Sequence, residues 1–147
     1  MQVSDVLKEI DTVVSKLPHK VYTSFYPIYD ANDNLVGGNF TVTEIGAEIS
    51  DGSIAKFTLQ PMVGCNGIVV SRKVSIGEKY RGKGYGTMFC ELRESIGRKM
   101  DYSVIMCTVV YGNEPQEKIM RKRGWFISNI FLNRKTGNRV AIYYKSL

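Results

Sequence analysis

The chain has 147 residues, 44% apolar and 23% charged, with a net charge of +6. That is one domain of ordinary size and composition, long enough to bury a core. No apolar run approaches the roughly 18–20 residues needed to span a bilayer. The first residues, Met1 to Asp5, lack the basic and apolar regions of a signal peptide. Cys65, Cys90 and Cys107 are scattered, with no C-x-x-C spacing, and there is a single histidine. This set gives no zinc site and fits a reducing, cytoplasmic location better than a disulfide framework; each cysteine reads as a small buried apolar residue.

The charge is unevenly placed. Residues 1–66 carry 4 Lys+Arg against 8 Asp+Glu, and residues 67–147 carry 16 against 6, so the halves stand at −4 and +10. Such asymmetry points to a polyanionic ligand or partner on one side.

Taken in chain order, Ser4 is a helix cap candidate. Val6, Leu7, Ile10, Val13, Val14 and Leu17 then recur at helical spacing up to Pro18. Lys20 to Tyr29 reads as a strand, and the cluster Asp30 to Asn34 as a turn that Gly37-Gly38 extends. Asn39 to Ile49 is the next strand, Asp51-Gly52-Ser53 a hairpin signal, and Ile54 to Gln60 a third strand. After the loop Pro61 to Gly67 comes a fourth strand, Ile68 to Ile76. The first half is therefore a helix followed by an antiparallel meander.

The strand ending at Ile76 feeds Arg81-Gly82-Lys83-Gly84-Tyr85-Gly86-Thr87, and a helix follows to about Met100, with Tyr85, Met88, Phe89, Leu92 and Ile96 along one stripe. A glycine-rich turn opening a helix is a cradle for phosphate: first-turn N–H groups lack internal partners, the dipole is positive there, and glycine lets the backbone approach closely. It is not a P-loop, because no Gly-Lys-Ser/Thr closes it, and it lacks the third glycine of a dinucleotide fingerprint. Ser103 to Val110 is almost wholly apolar, as a strand covered on both faces would be, and closes a β-α-β unit. Asn113-Glu114-Pro115 starts another helix, ending near Arg123 before Gly124. Its basic end, Arg121-Lys122-Arg123, suits the helix dipole. Trp125 to Leu132 and Arg139 to Lys145 are strands joined by the turn Asn133 to Asn138. No internal repeat or linker divides residues 1–147, which read as a single domain.

Arg81-x-x-Gly84-x-Gly86 resembles the Q/R-x-x-G-x-G/A signature of the GNAT acyl-CoA N-acyltransferases. Asn113, Gly124 and Trp125 fall at the spacings of that family's second pattern, N-x-x-A-x-x-x-Y-x-x-x-G-F, and Val74-x-Ile76 stands where the family has the end of its pantetheine strand. The resemblance spans residue 39 to the end. It implies an α/β (α+β) fold, with a mixed, mostly antiparallel sheet of six to seven strands, split at its parallel pair and flanked by helices.

The resemblance further implies that acetyl-CoA is the co-substrate. Val74, Ser75 and Ile76 would pair with the pantetheine arm. Arg81, Gly82, Lys83, Gly84, Tyr85, Gly86 and Thr87 would wrap the pyrophosphate, and Asn113 would hydrogen-bond the pantetheine. The thioester would lie in the split between the strands ending at Ile76 and near Val110. The family's tyrosine, its usual general acid, aligns with Met120, which has no proton to give, and Gln116 replaces a small alanine. Tyr111 is the nearest substitute acid by sequence. Direct attack by an amine also calls for a base: Glu44 and Glu48, four apart on one strand, are the candidates, with Ser75 a weaker one, while His19 reads as a turn residue.

Two readings follow. One is an N-acetyltransferase acting on a primary amine of a small molecule, peptide, protein or nucleic acid. The other is a binding module on the same fold, gripping nucleic acid or an acidic protein through Arg121, Lys122, Arg123, Arg134, Lys135 and Arg139. Edge strands near the end of the chain add a homodimer to the expectations.

Overall fold

A computed structural model describes residues 1–46 and 53–147. Helix α1 (Val3–Val14) precedes four strands, β1 (Val21–Tyr29), β2 (Leu35–Glu44), β3 (Ser53–Pro61) and β4 (Ile68–Ile76). A short 3-10 turn (Glu78–Tyr80) leads to α2 (Tyr85–Lys99), then β5 (Val104–Val110), α3 (Glu114–Lys122), β6 (Phe126–Leu132) and β7 (Arg139–Ser146). The seven strands form one sheet in the order β1-β2-β3-β4-β5-β7-β6. Every neighbouring pair is antiparallel except β4 and β5. The expected mixed sheet, split at a parallel pair, is what the chain builds.

Alternation assigns the faces. Phe40, Val42, Ala55, Phe57, Leu59, Val69, Ile105, Cys107, Val109, Ala141 and Tyr143 are buried and lie on one face of the sheet. Helix α2 lies across β3, β4 and β5 on this face and touches both α1 and α3. The opposite face carries Tyr22, Tyr26, Asn39 and Arg72, all exposed. Phe25, Phe40 and Phe57 stack across β1, β2 and β3 with ring centroids 4.6 Å apart at each step.

Three local expectations are corrected. The first helix starts at Val3, because Asp5 accepts from the Gln2 backbone N–H at 2.9 Å and makes Gln2 the cap in place of Ser4. Gly37 and Gly38 lie inside β2, not in a turn. A Cβ at Gly37 would stand 2.1 Å from the Leu59 carbonyl oxygen, and one at Gly38 1.8 Å from the Phe25 ring, so close packing and not chain reversal requires them. Cys90 and Cys107 are buried as expected, but Cys65 is half-exposed. The expected hairpin signal at Asp51-Gly52 lies outside the described residues.

The helical face is tied to the sheet by one carboxylate. Glu94, on α2, is 1% exposed. It accepts from Arg123 through Nε at 3.2 Å and Nη2 at 3.1 Å, from Trp125 Nε1 at 3.2 Å, and from Lys145 Nζ. Burial pushes its carboxyl upward, but Arg123, Lys145 and Trp125 together outweigh that and hold it below the ordinary glutamate range. Among the described residues, no helix is long and apolar enough to cross a membrane.

Because the folded-state value is depressed, this stabilisation is present above the unfolded carboxyl value of about 4.3 and is lost as pH falls through the folded one. Glu94→Ala should lower unfolding stability by about 3–5 kcal/mol by urea titration at neutral pH, since it strands two cations. The penalty should shrink as pH is lowered.

Candidate active site

Strands β4 and β5 share only three residue pairs: Ile68 with Val104, Val69 with Ile105, and Val70 with Met106. Beyond Val70 they part. Along β3, the register steps from Thr58 opposite Arg72 to Lys56 opposite Ser75, so β4 carries one extra residue, and Lys73 takes φ 52°. This is a bulge, which bends a strand and re-aims its backbone groups. The parting opens a cleft of about 600 Å³, lined by Ser71, Lys73 and Val74 of β4, Cys107 to Val110 of β5, Arg93 of α2, and Asn113 and Gln116 of α3, among others. From Ser71 onward, the edge of β4 facing β5 has no strand partner among the described residues.

The glycine-rich turn follows β4 along the chain, after Ile76, and none of residues 75–87, the expected Ser75, Ile76 and Thr87 included, lines the cleft. Gly84 is the residue before α2 and adopts φ 82°, and Gly82 adopts φ 76°. Both occupy left-handed backbone that glycine alone enters at little cost. No side chain caps α2, and no acidic residue lies in its first turn. Helix α1, in contrast, has a capping box, and α3 has the Asn113 side chain together with Glu114 and Glu117. The first-turn N–H groups of α2 are thus free of side-chain partners at the positive end of the dipole. Gly86 faces α3 so closely that a Cβ would come within 2.9 Å of Ile119 Cδ1.

The expected site residues separate into groups. Val74 and Asn113 line the cleft; Asn113 also accepts from the Gln116 N–H at 3.5 Å as the cap of α3. Arg81, Gly82, Lys83 and Gly84 form an exposed turn. Arg81 donates through Nε to the Ile76 carbonyl at 3.1 Å, so its side chain joins the turn to the strand end. Tyr85 is 5% exposed and turns inward, leaving only its backbone for the turn. Met120 is fully buried, and its sulfur accepts from Gln116 Nε2 at 3.5 Å. Tyr111 is exposed just past the end of β5, with the Arg139 guanidinium 5.9 Å from its ring centroid.

Glu44 is not among the cleft-lining residues. Its carboxylate accepts from the Tyr80 hydroxyl and lies 3.6 Å from Lys79 Nζ and 3.4 Å from His19 Nδ1. His19 Nε2 in turn meets the Tyr85 hydroxyl at 3.0 Å. The chain Tyr85–His19–Glu44–Tyr80 therefore spans from the first residue of α2 to the 3-10 turn, and it braces the glycine-rich turn from behind. His19, expected as a plain turn residue, holds this chain together; its partner Tyr85 is 66 residues away, beyond the reach of any local signal. The hydrogen bond to Glu44, reinforced by burial, pushes the Tyr80 hydroxyl up to about 12. The same bond holds Glu44 below the ordinary range. Glu48 lies outside the described residues.

Among the described residues, no carboxylate or imidazole lines the cleft. Burial pushes the Cys107 thiol up to about 12, so it is neither base nor nucleophile at neutral pH. The basic cluster is also divided: Arg123 is drawn onto Glu94, while Arg121, Lys122, Arg134, Lys135 and Arg139 stay exposed.

The fold is shared with solved acetyltransferases. A Bacillus cereus IAA acetyltransferase superposes with a TM-score of 0.68 at 13% identity, over 87% of this chain and 100% of that one. A GNAT-family acetyltransferase from Bacillus anthracis gives 0.60 at 21%, over 74% and 65%. Another Bacillus anthracis acetyltransferase structure, in complex with acetyl coenzyme A, gives 0.61 at 16%, over 78% and 65%. The chain has the fold of the GNAT acetyltransferases. No protein-family model and no curated protein sequence matches it.

Gly84→Ala should lower stability by about 1 kcal/mol in urea unfolding, because alanine is strained at this φ even with open space around it. Tyr80→Phe should move the Glu44 carboxyl value upward in an NMR titration, and should speed amide exchange in the Glu78–Tyr80 turn.

Proposed function

We propose that the protein is an N-acetyltransferase that uses acetyl-CoA as co-substrate and passes the acetyl group directly to a primary amine. The observation that carries this reading is the uncapped N-terminus of α2, which follows on the chain from β4, one wall of the cleft between β4 and β5. The fit is testable residue by residue. The Gly82 to Gly86 backbone, with Lys83 beside it, offers N–H groups and positive charge to a pyrophosphate. The unpaired edge of β4 from Ser71 to Ile76 offers backbone groups to a pantetheine arm, as an added strand would use them. Asn113 and Gln116 add side-chain amides on the opposite wall. Bound there, acetyl-CoA supplies an activated acyl group.

The chain's own residues then do three things. They would hold the thioester at the bulge, where the unpaired N–H groups of β4 would be available to its carbonyl oxygen. They present the cleft to an amine arriving from the sheet face that carries Tyr22, Tyr26 and Arg72. They leave proton removal from the amine to solvent, since Glu44 is engaged elsewhere, with Tyr111 the candidate acid for the departing thiolate. A required deprotonated amine, with no carboxylate or imidazole lining the cleft among the described residues, makes the rate rise with pH toward the acceptor's own value.

The second reading, a binding module for nucleic acid, draws on the exposed Arg121, Lys122, Arg134, Lys135 and Arg139. Its binding would weaken steeply with salt.

Isothermal titration should find micromolar binding of acetyl-CoA. The double variant Arg81→Ala, Gly84→Asp should weaken it by at least about tenfold, ~1.4 kcal/mol. Acetyl-CoA that does not bind, beside salt-sensitive binding of RNA or DNA, would overturn the enzyme reading in favour of the module.

A further inference from the structure

The cleft holds a charge that acetyl transfer does not use. Arg93 is 1% exposed and lines the cleft from α2, its guanidinium 5.8 Å from the Phe57 ring centroid. Among the described residues no carboxylate pairs with it; Glu94, next along the helix, is committed to Arg123 and Lys145. Arg93 Nε has no hydrogen-bond partner in the protein. Neither has the hydroxyl of Ser71, which is 3% exposed and lines the same cleft. Buried donors in native proteins are paired, and a buried cation without a counter-charge is costly. Two such orphans in one cleft indicate an anion that arrives with a ligand.

Position identifies which part of the ligand. The proposed pyrophosphate cradle follows the Ile76 end of β4, and in the other direction along β4 the strands converge on their last shared pair, Val70 with Met106. Ser71 and Cys107 are the next residues on the two strands, so the Ser71 hydroxyl stands at the apex of the cleft that Arg93 also lines. What reaches the apex is the end of an acyl-CoA farthest from its pyrophosphate, the acyl chain. A flat, two-oxygen carboxylate matches a guanidinium fork supplemented by a hydroxyl.

We propose that Arg93 and Ser71 form a carboxylate subsite, and that the cleft accepts, beyond acetyl-CoA, acyl thioesters whose chain ends in a carboxylate. This rests on acyl-CoA lying in the cleft as proposed above. The transfer is otherwise unaltered. The amine nitrogen bonds to the thioester carbonyl carbon, the C–S bond breaks, and the amine proton goes to solvent. CoA leaves with the sulfur's electron pair and is then protonated, and the terminal carboxylate stays on Arg93, unchanged.

The test is titration calorimetry with CoA, acetyl-CoA and succinyl-CoA on the wild type, Arg93→Met and Ser71→Ala. Succinyl-CoA should bind the wild type at least about tenfold more tightly than acetyl-CoA; the ratio should fall toward one in Arg93→Met and drop partway in Ser71→Ala. The wild-type comparison stands even if a variant does not fold. Equal affinity for the two thioesters, or a preference that survives in Arg93→Met, would overturn the subsite while leaving acyl transfer intact. Failure of all three compounds to bind would overturn the acyltransferase reading with it.

Discussion

The brevity of the β4–β5 pairing is the constraint on which the rest of the structure depends. Two parallel strands that could run side by side for seven residues share three residue pairs and then separate. Separation forgoes ladder hydrogen bonds, which a buried backbone does not do without another partner. The bulge at Lys73 starts the divergence on one wall. On the other wall, β5 is held by its full register with β7, from Val104–Ser146 to Val110–Val140. The sheet thus behaves as two well-paired halves joined by a short seam. The helices must carry what the seam does not, and Glu94 is how they do so, because it ties α2 to the end of α3, to Trp125 and to β7 at once.

A second brace acts where the seam opens. An uncapped helix start with two left-handed glycines before it has little to fix its position. The Tyr85–His19–Glu44–Tyr80 chain supplies that fixation from the far side, leaving the N–H groups themselves unobstructed. Arg81 adds a tie to the Ile76 carbonyl. The order is physically sensible: side chains position the turn so that its backbone remains available.

Much of this was legible in the sequence wherever the signal was local. Alternation located the strands and the spacing Arg81 to Gly86 announced the turn; the apolar run Val104 to Val110 announced a strand, but one covered on one face only, since Thr108 and Val110 are exposed. Failures came where a residue answers to a distant partner. Gly37 and Gly38 look like a turn until Leu59 and Phe25 crowd them. Arg123 looks like a dipole-capping cation until Glu94, 29 residues earlier, accepts from it. Glu44 was placed on the correct strand, yet nothing near it in sequence shows that Tyr80 occupies its carboxylate. Arg93, four residues after Phe89 and three before Ile96, falls beside the apolar stripe of its helix, yet its charge would let it pass for a surface residue.

The same lesson revises the meaning of the charge asymmetry. The excess of +10 in residues 67–147 invites a picture of a basic surface. Much of it is spent inside or on partners: Arg123 and Lys145 on Glu94, Lys99 on Glu9, Lys79 on Glu44, and Arg93 in the cleft. Two of these pairings reach back to the acidic half, to Glu9 on α1 and Glu44 on β2. The asymmetry is therefore in part a docking code between the two halves of one domain. Among the cations left without a carboxylate partner, two kinds of setting contrast: the exposed basic ends around Arg121 and Lys135, and the buried guanidinium of Arg93 in the cleft. A solvated surface cation is stabilised by water and demands nothing, whereas a buried one is stable only with a counter-charge. Of the two, the buried site is the one whose electrostatics require a ligand.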